Sequence, residues 1–182
     1  MWKESITEID NSRLDSIIKR IDSLKSLGCD IVRFAVPDME SAHSLCKIAG
    51  NTDVPLVADI HLDYRLALEC LIGNISVIRI NPGNIGNFDR TKAVVEACKE
   101  KSAAIRIGVN TGSLPKDLER KVENSEITRA QALAETALRE AEIFASLKFE
   151  NFAVSMKASS VQETIEANEA FARQSDIPLH IG

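Results

Sequence analysis

The sequence predicts an α/β fold, a (β/α)8 TIM-type barrel whose first and last strands are missing. Apolar, β-branched runs begin near residues 31, 56, 77, 104, 152 and 178, and they alternate with helical patterns. The intervals between these runs are 21 to 27 residues with one of 48, which is the spacing of βα units with a single insertion. Polar residues also occupy every second position of the strands, so they all point to one face; we call these alternating positions the polar parity.

That parity separates a barrel from an open doubly wound sheet, the other architecture that fits the spacing. Side chains alternate between the faces of a strand, and a doubly wound sheet would be apolar on both. One polar face and one apolar face favour a barrel with a polar interior and an outer ring of helices. The polar parity holds Arg33, Asp59, His61, Arg79, Asn81, Arg106, Asn110, Ser155 and Lys157.

The first element is predicted to be a helix over residues 14–27, where apolar residues recur at helical spacing. Asp10, Asn11 or Ser12 is the expected N-cap, and Gly28 ends the helix. Residues 1–3 are interpreted as the tail of a missing first strand. The chain is therefore expected to be incomplete at both ends, with residues 31–36 and 177–181 as unpaired edge strands.

The remaining elements follow from the same patterns. Residues 79–86, RINPGNIG, are read as a buried strand entering a glycine-rich loop, and residues 116–126 as a charged, solvated segment. Helices are predicted from residue 38 to about 50, over 64–73, 88–101, 127–147 and 161–174, and strands over 31–36, 56–60, 77–81, 104–109, 152–157 and 177–182.

Composition sets broad limits on function. With 182 residues, 45% hydrophobic and 27% charged, one globular domain is expected, and a net charge of −5 argues against a nucleic-acid binder. No run is long enough to span a membrane and the start lacks a signal-peptide core, so a cytoplasmic location is expected. Four dispersed cysteines without a Cys-x-x-Cys pair argue against a zinc or iron–sulfur site built from this chain alone.

The candidate site lies at the carboxyl ends of the strands, where barrel enzymes carry their chemistry. Arg33, Arg79, Arg106 and Lys157 converge there, with Asp59 as the only obvious interior acid. The surplus positive charge predicts a ligand with phosphate groups, because guanidinium and ammonium groups bind phosphate oxygens well. The competing interpretation is that the arginines pair with Asp59 or loop carboxylates and only close the barrel.

Five segments carry a resemblance to the barrel domain of the 4-hydroxy-3-methylbut-2-enyl diphosphate synthases of the non-mevalonate isoprenoid pathway. They occur in order within a match running from about residue 24 to residue 182. The segments are VPLVADIH (54–61), RINPGNIG (79–86), RIGVN (106–110), SMKAS (155–159) and PLHIG (178–182).

The resemblance implies a barrel that binds 2-C-methyl-D-erythritol 2,4-cyclodiphosphate, which the family opens reductively with loss of water. It implies Asp59 and His61 near the reacting carbons, and His180 at the mouth. It also implies a [4Fe-4S] cluster in a C-terminal domain absent from this chain, ferredoxin or flavodoxin as electron donor, and a homodimer. The ligand-holding residues it implies are Arg33, Arg79, Asn81, Arg106, Asn110 and Lys157.

None of the four cysteines matches a cluster ligand of that family, so this chain alone is expected to bind substrate without turnover. Two alternatives stay open. One is another phosphate-binding barrel similar to the pterin-binding synthases. The other is a non-catalytic remnant, or a subunit that completes its barrel with another chain.

Overall fold

The computed structural model describes residues 3–10 and 13–182, and its centre is one parallel sheet of six strands in sequence order. Each strand pairs with the next one along the chain, and the connecting helices cover one face of the sheet. The strands are β1 (Glu4–Thr7), β2 (Ile31–Ala35), β3 (Leu56–Asp59), β4 (Val77–Ile80), β5 (Ala104–Asn110) and β6 (Phe152–Lys157).

The helices alternate with these strands along the chain and α8 follows the last of them, as the βα spacing predicts. A short 3-10 turn, Thr111–Ser113, follows β5 directly. The α-helices are α1 (Leu14–Ser26), α2 (Met39–Ala49), α3 (Tyr64–Ile72), α4 (Pro82–Ile85), α5 (Phe88–Lys101), α6 (Lys116–Glu123), α7 (Arg129–Ser146) and α8 (Val161–Ala172). Among the described residues, none of these helices is both long and apolar enough to cross a membrane.

The predicted parity of the strands is confirmed. The apolar parity is buried beneath the helices, where Val32, Phe34, Ile78 and Ile80 have no exposed surface. The polar parity faces the concave side, where the side chains of Arg33 and other cations remain partly accessible. The sheet is thus a curled part of a barrel with a polar interior, and the alternative of an open doubly wound sheet does not apply.

The prediction that the first strand is missing is wrong. β1 pairs in parallel with β2 over four residues, from Glu4 opposite Ile31 to Thr7 opposite Phe34. The predicted edge at residues 31–36 is therefore paired. Of the residues 1–3 interpreted as a strand tail, Met1 and Trp2 lie outside the described residues, as do the N-cap candidates Asn11 and Ser12, whereas Lys3 precedes β1 and its carbonyl oxygen accepts from Asp30 N–H.

Two further segments differ from the prediction. Residues 177–182 do not form a full strand: Leu179 makes a single parallel bridge to Val154, with His180 N–H donating to Val154 O over 2.8 Å. Pro82–Ile85 is a one-turn helix, not an open glycine-rich loop, because Asn81 accepts a hydrogen bond from Gly83 N–H and caps the turn.

α1, α2, α3, α4 and α8 each follow a strand directly, so their N-termini lie at the end of the sheet where the strands finish. Polar side chains accept hydrogen bonds from the free N–H groups of the first turns. The positive ends of these helix dipoles therefore face the mouth of the barrel. The capping residues with such a bond are Asp38, Asp63, Asn81, Asn87, Thr128 and Ser160.

Candidate functional site

Two interior carboxylates, Glu4 and Asp59, hold the arginines of the polar face in one network. Arg33 lies between them, with its Nε 3.6 Å from Glu4 Oε1 and 3.7 Å from Asp59 Oδ2. Arg106 pairs with Glu4 and Arg79 pairs with Asp59. The three predicted arginines are therefore brought together, and they are paired with carboxylates as the competing interpretation expected.

Glu4 is the residue that sequence reasoning missed. Its Oε2 accepts a hydrogen bond from Arg106 Nη1 over 2.6 Å and lies 3.5 Å from His180 Nε2. Burial would raise the pKa of Glu4, but the hydrogen bonds and charges of His180 and Arg106 outweigh it and lower the pKa to about 2. Glu4 is therefore a carboxylate at any physiological pH.

Asp59 forms the second centre of the network. It accepts a hydrogen bond from Arg79 Nη1 over 3.0 Å, and His61 Nε2 lies 3.8 Å from its Oδ1. The His61 side chain is largely exposed in the loop after β3, whereas Asp59 is buried. Asp59 and His61 thus lie beside each other, with the imidazole on the solvent side of the carboxylate.

The absence of a side chain at Gly108 makes room for the Arg79 guanidinium group. A β carbon built on Gly108 would lie 2.5 Å from Arg79 Nε and 2.7 Å from its Cζ, so the guanidinium lies directly on the glycine backbone. Gly108 follows Arg106 by two residues on the same face of β5, and Arg79 is paired in register with Arg106. Only glycine leaves room for the Arg79 guanidinium there.

The guanidinium groups are not fully satisfied by these carboxylates. Arg33 Nε, Arg106 Nε and Arg106 Nη2 are buried and have no hydrogen-bond partner among the described residues. Counting Lys157, four cations face two carboxylates, so the interior keeps a surplus of positive charge. A buried cationic donor without a partner is costly, which favours an anionic ligand at this position.

Two asparagines at the mouth are joined through a serine. Asn81 Nδ2 donates to Ser113 Oγ over 2.8 Å, and the Ser113 hydroxyl lies 3.2 Å from Asn110 O and 3.3 Å from Asn110 Oδ1. Asn81 and Asn110 also cap the turns that follow their strands, through Gly83 and Gly112. The prediction placed both asparagines at the strand ends without indicating Ser113 as their link.

Lys157 and His180 complete the predicted set. Lys157 is opposite Asn110 in the β5–β6 register, and its exposed side chain passes beside Gly182. His180 Nδ1 lies 3.4 Å from Ser155 Oγ, and because 25 residues separate them, no local pattern predicted this contact. At 3.4 Å the contact is a weak hydrogen bond.

The cysteines do not fit an iron–sulfur cluster. Cys70 and Cys98 are fully buried in the helix layer, where burial raises the pKa of each thiol to about 12 and disfavours the thiolate that iron requires. Within residues 3–10 and 13–182, no three His, Cys, Asp or Glu side chains are grouped to hold a metal ion. These buried thiols therefore offer no ligand set for such a cluster.

Comparison with known proteins gives a family and a set of relatives. Residues 3–182 match the model of the GcpE TIM-barrel domain. The 4-hydroxy-3-methylbut-2-en-1-yl diphosphate synthase (flavodoxin) of Treponema denticola is 50% identical over 199 residues, covering 100% of this chain and 51% of that protein. The enzyme of the same name from Treponema pallidum is 51% identical over 189 residues, covering 100% of this chain and 46% of that protein. The chain thus spans about half the length of these curated relatives.

Solved structures show the same fold in another group of proteins. A dihydropteroate synthase, FolP from Clostridium difficile, has a TM-score of 0.69 at 14% identity, over 100% of this chain and 75% of that one. The Plasmodium falciparum HPPK-DHPS has a TM-score of 0.64 at 9% identity, over 100% of this chain and 38% of that one. At such identities the likeness concerns the barrel fold alone, and it does not favour the pterin-binding alternative.

Proposed function

The chain belongs to the GcpE TIM-barrel domain family, and from this premise we propose that its barrel is the substrate-binding part of a 4-hydroxy-3-methylbut-2-enyl diphosphate synthase. The ligand is 2-C-methyl-D-erythritol 2,4-cyclodiphosphate, bound at the carboxyl ends of the strands. The observation that carries the proposal is the cluster of three arginines around two carboxylates, with three buried donor atoms that have no partner among the described residues.

The roles of the binding residues follow from their depth. Arg33 and Arg106 lie deep on the concave face and offer free guanidinium N–H groups to phosphate oxygens. Arg79, Asn81 and Asn110 lie closer to the mouth, where hydrogen-bond donors can reach the second phosphate and the ring oxygens. Lys157 adds an exposed point charge at the rim, and His180 lines the same side of the barrel.

Asp59 and His61 are the proposed catalytic pair. Asp59 holds Arg79 and contacts Arg33, so it fixes the two guanidinium groups that face the ligand. His61 lies at the solvent side of Asp59, in a loop at the mouth, and can exchange a proton with a substrate hydroxyl group there. These side chains bind the ligand and manage its protons, whereas the electrons must come from outside the barrel.

The reductant is proposed from the relatives, whose names specify flavodoxin. We therefore favour flavodoxin over ferredoxin as the donor of the intact enzyme. The [4Fe-4S] cluster and the homodimer implied by the resemblance belong to the same proposal, and the cysteines described above are not assigned to that cluster.

Binding tests the proposal directly, because it requires no electrons. Isothermal titration of the chain with the cyclodiphosphate and with inorganic diphosphate is expected to show one site, with the cyclodiphosphate bound more tightly. Arg79→Gln removes a charge-assisted donor worth about 1.5–3 kcal/mol, so binding should weaken about 10- to 150-fold.

The matched control is Arg139→Gln, which removes an arginine paired with Asp117 and Glu135 on the helix layer. It should leave both affinities within about twofold, since surface pairs contribute little. A wild-type chain that is folded by circular dichroism and binds neither compound would rule the proposed function out.

A further inference from the structure

We propose that Glu4 is a positioning residue of the anion site. Its carboxylate holds one nitrogen of Arg106 and thereby turns the other edge of that guanidinium toward the ligand. This inference rests on the proposed function, in which Arg106 binds phosphate. It goes beyond that function by assigning a role to a residue of β1, an edge strand that β2, β3 and β4 separate from β5.

The geometry of the guanidinium carries the argument. Its donors form a rigid planar fork, so a partner at one nitrogen fixes the direction of all the others. Glu4 accepts from Nη1 over 2.6 Å, and the two atoms of the remaining edge, Nε and Nη2, are both buried without a partner in the part of the chain that the structure describes. That edge is the one that matches two oxygens of a phosphate group in parallel hydrogen bonds.

Glu4 is itself fixed by its surroundings. Its side chain is only 14% exposed, and β1 is held in register with β2. Arg33 Nε and His180 Nε2 approach the same carboxylate at 3.6 and 3.5 Å, from two other elements. A group placed from three sides can orient Arg106 before any ligand arrives, which reduces the entropy lost on binding.

The contact between Glu4 and His180 has a second consequence, which concerns the protons of the imidazole ring. His180 Nε2 faces Glu4 Oε2 at 3.5 Å, so whenever the imidazole is neutral the carboxylate favours a proton on Nε2 and leaves Nδ1 as an acceptor for the Ser155 hydroxyl group at 3.4 Å. Glu4 thus selects the Nε2–H tautomer of His180. This state can be observed with or without a ligand.

Three variants separate positioning from simple charge compensation. Glu4→Gln keeps an acceptor at the same reach but removes the charge, so inorganic diphosphate should bind as tightly as to the wild type or up to tenfold more tightly. Glu4→Asp keeps the charge but withdraws it from Arg106 by one methylene group, and Glu4→Ala removes the acceptor. Both should bind diphosphate at least tenfold more weakly. Glu100→Gln, at an exposed site on α5, is the charge-matched control and should change nothing.

The measurements are titration calorimetry with inorganic diphosphate and ¹⁵N NMR of the histidine rings, on variants shown by thermal melts to be folded. The wild type and Glu4→Gln should both show His180 as the Nε2–H tautomer, and Glu4→Asp should show a mixture. If Glu4→Ala does not fold, the Glu4→Asp result decides alone, because a pure counter-charge predicts wild-type affinity for that variant.

The outcomes are distinct. Undiminished binding by folded Glu4→Asp overturns the positioning role while leaving the proposed function intact. Tighter binding by all three variants identifies Glu4 as a competing anion and also overturns it. A folded wild type that binds neither inorganic diphosphate nor the cyclodiphosphate overturns the proposed function, and the Glu4 inference falls with it.

Discussion

At the scale of single residues, Glu4 and Glu140 show how surroundings decide the state of one side-chain type. Glu4 is surrounded by cations, which lower its pKa to about 2 despite burial. Glu140, on α7, has a buried Oε2 without a hydrogen-bond partner among the described residues, and burial alone raises its pKa to about 7. The first group is a carboxylate in a polar network, whereas the second is a carboxyl group in the helix layer whose charge, once it ionises, is not compensated by any group that the structure describes.

Glu140 makes a prediction about stability and pH. Its native pKa lies above the ordinary value of 4.5, so the folded chain holds a proton that the unfolded chain releases between pH 4.5 and 7. Stability should therefore fall as pH rises through that window. Glu140→Gln removes the penalty and should stabilise the chain by about 1–3 kcal/mol at pH 8, with little gain at pH 4.

Urea unfolding from pH 4 to pH 8 measures this difference. Glu142→Gln, at an exposed position on the same helix, is the matched control and should have no pH-dependent effect. A gain for Glu140→Gln that stays constant over the whole pH range would contradict the assignment, since a protonated and an ionised Glu140 would then be equally tolerated.

At the scale of elements, the contact between α2 and α3 depends on Gly73. A β carbon there would lie 2.5 Å from Cys46 Cβ and Sγ and 2.6 Å from Cys46 Cα, closer than real contacts allow. Because one of these atoms is backbone, a side-chain rotation cannot relieve the overlap. Gly73→Ala should push the two helices apart and cost about 1–3 kcal/mol in the free energy of unfolding.

Gly50→Ala is the comparison, since Gly50 has a helical φ of −72° and a β carbon would meet nothing closer than 3.6 Å. That variant should be neutral or more stable by up to about 1 kcal/mol, because alanine restricts the unfolded chain. Denaturant melts of both variants test the pair. Equal effects at the two positions would show that backbone entropy, and not the helix contact, governs them.

The elements were predictable to different degrees. Strands such as Ile31–Ala35 are apolar enough to be recognised alone, and their parity also predicts the barrel. β1 is not: Glu4, Ser5 and Thr7 are polar and Ile6 is exposed, so its strand conformation comes from pairing with β2. The one available signal was that Glu4 precedes Ile31 by 27 residues, the same βα interval found elsewhere in the chain.

At the scale of the whole molecule, the polar interior connects parts of the sheet that are far apart in sequence. The Arg106–Glu4 hydrogen bond joins residues 102 positions apart, and His180 reaches the same carboxylate from the segment beside β6. The sequence predicted the cations of this network from their parity. It predicted Asp59 as one partner but could not predict Glu4 as the other, because an acidic residue in an unrecognised strand has no assigned face.

This arrangement predicts how an anion affects the motions of the molecule. Within residues 3–10 and 13–182, β1 has β2 as its only strand neighbour and the segment at residues 177–182 has one bridge, so their amides should exchange hydrogen faster than those of β3 to β5. A diphosphate ion bound by Arg33 and Arg106 would stabilise both β1 and residues 177–182, because Glu4 on β1 contacts Arg106 and also His180. At 100 times Kd, exchange in these edges should slow by up to about 100-fold, the limit set by mass action.

Hydrogen-exchange mass spectrometry with and without inorganic diphosphate measures the effect, with peptides over residues 3–7 and 177–182 as reporters. α6 (Lys116–Glu123) lies in the helix layer and serves as the internal control, which should change little. In Glu4→Ala the protection of β1 should be lost even at saturating diphosphate, because the connection from Arg106 to β1 is cut. Equal slowing of every peptide would mean that the edges open only when the whole chain unfolds, and coupling through the carboxylate would then be disproved.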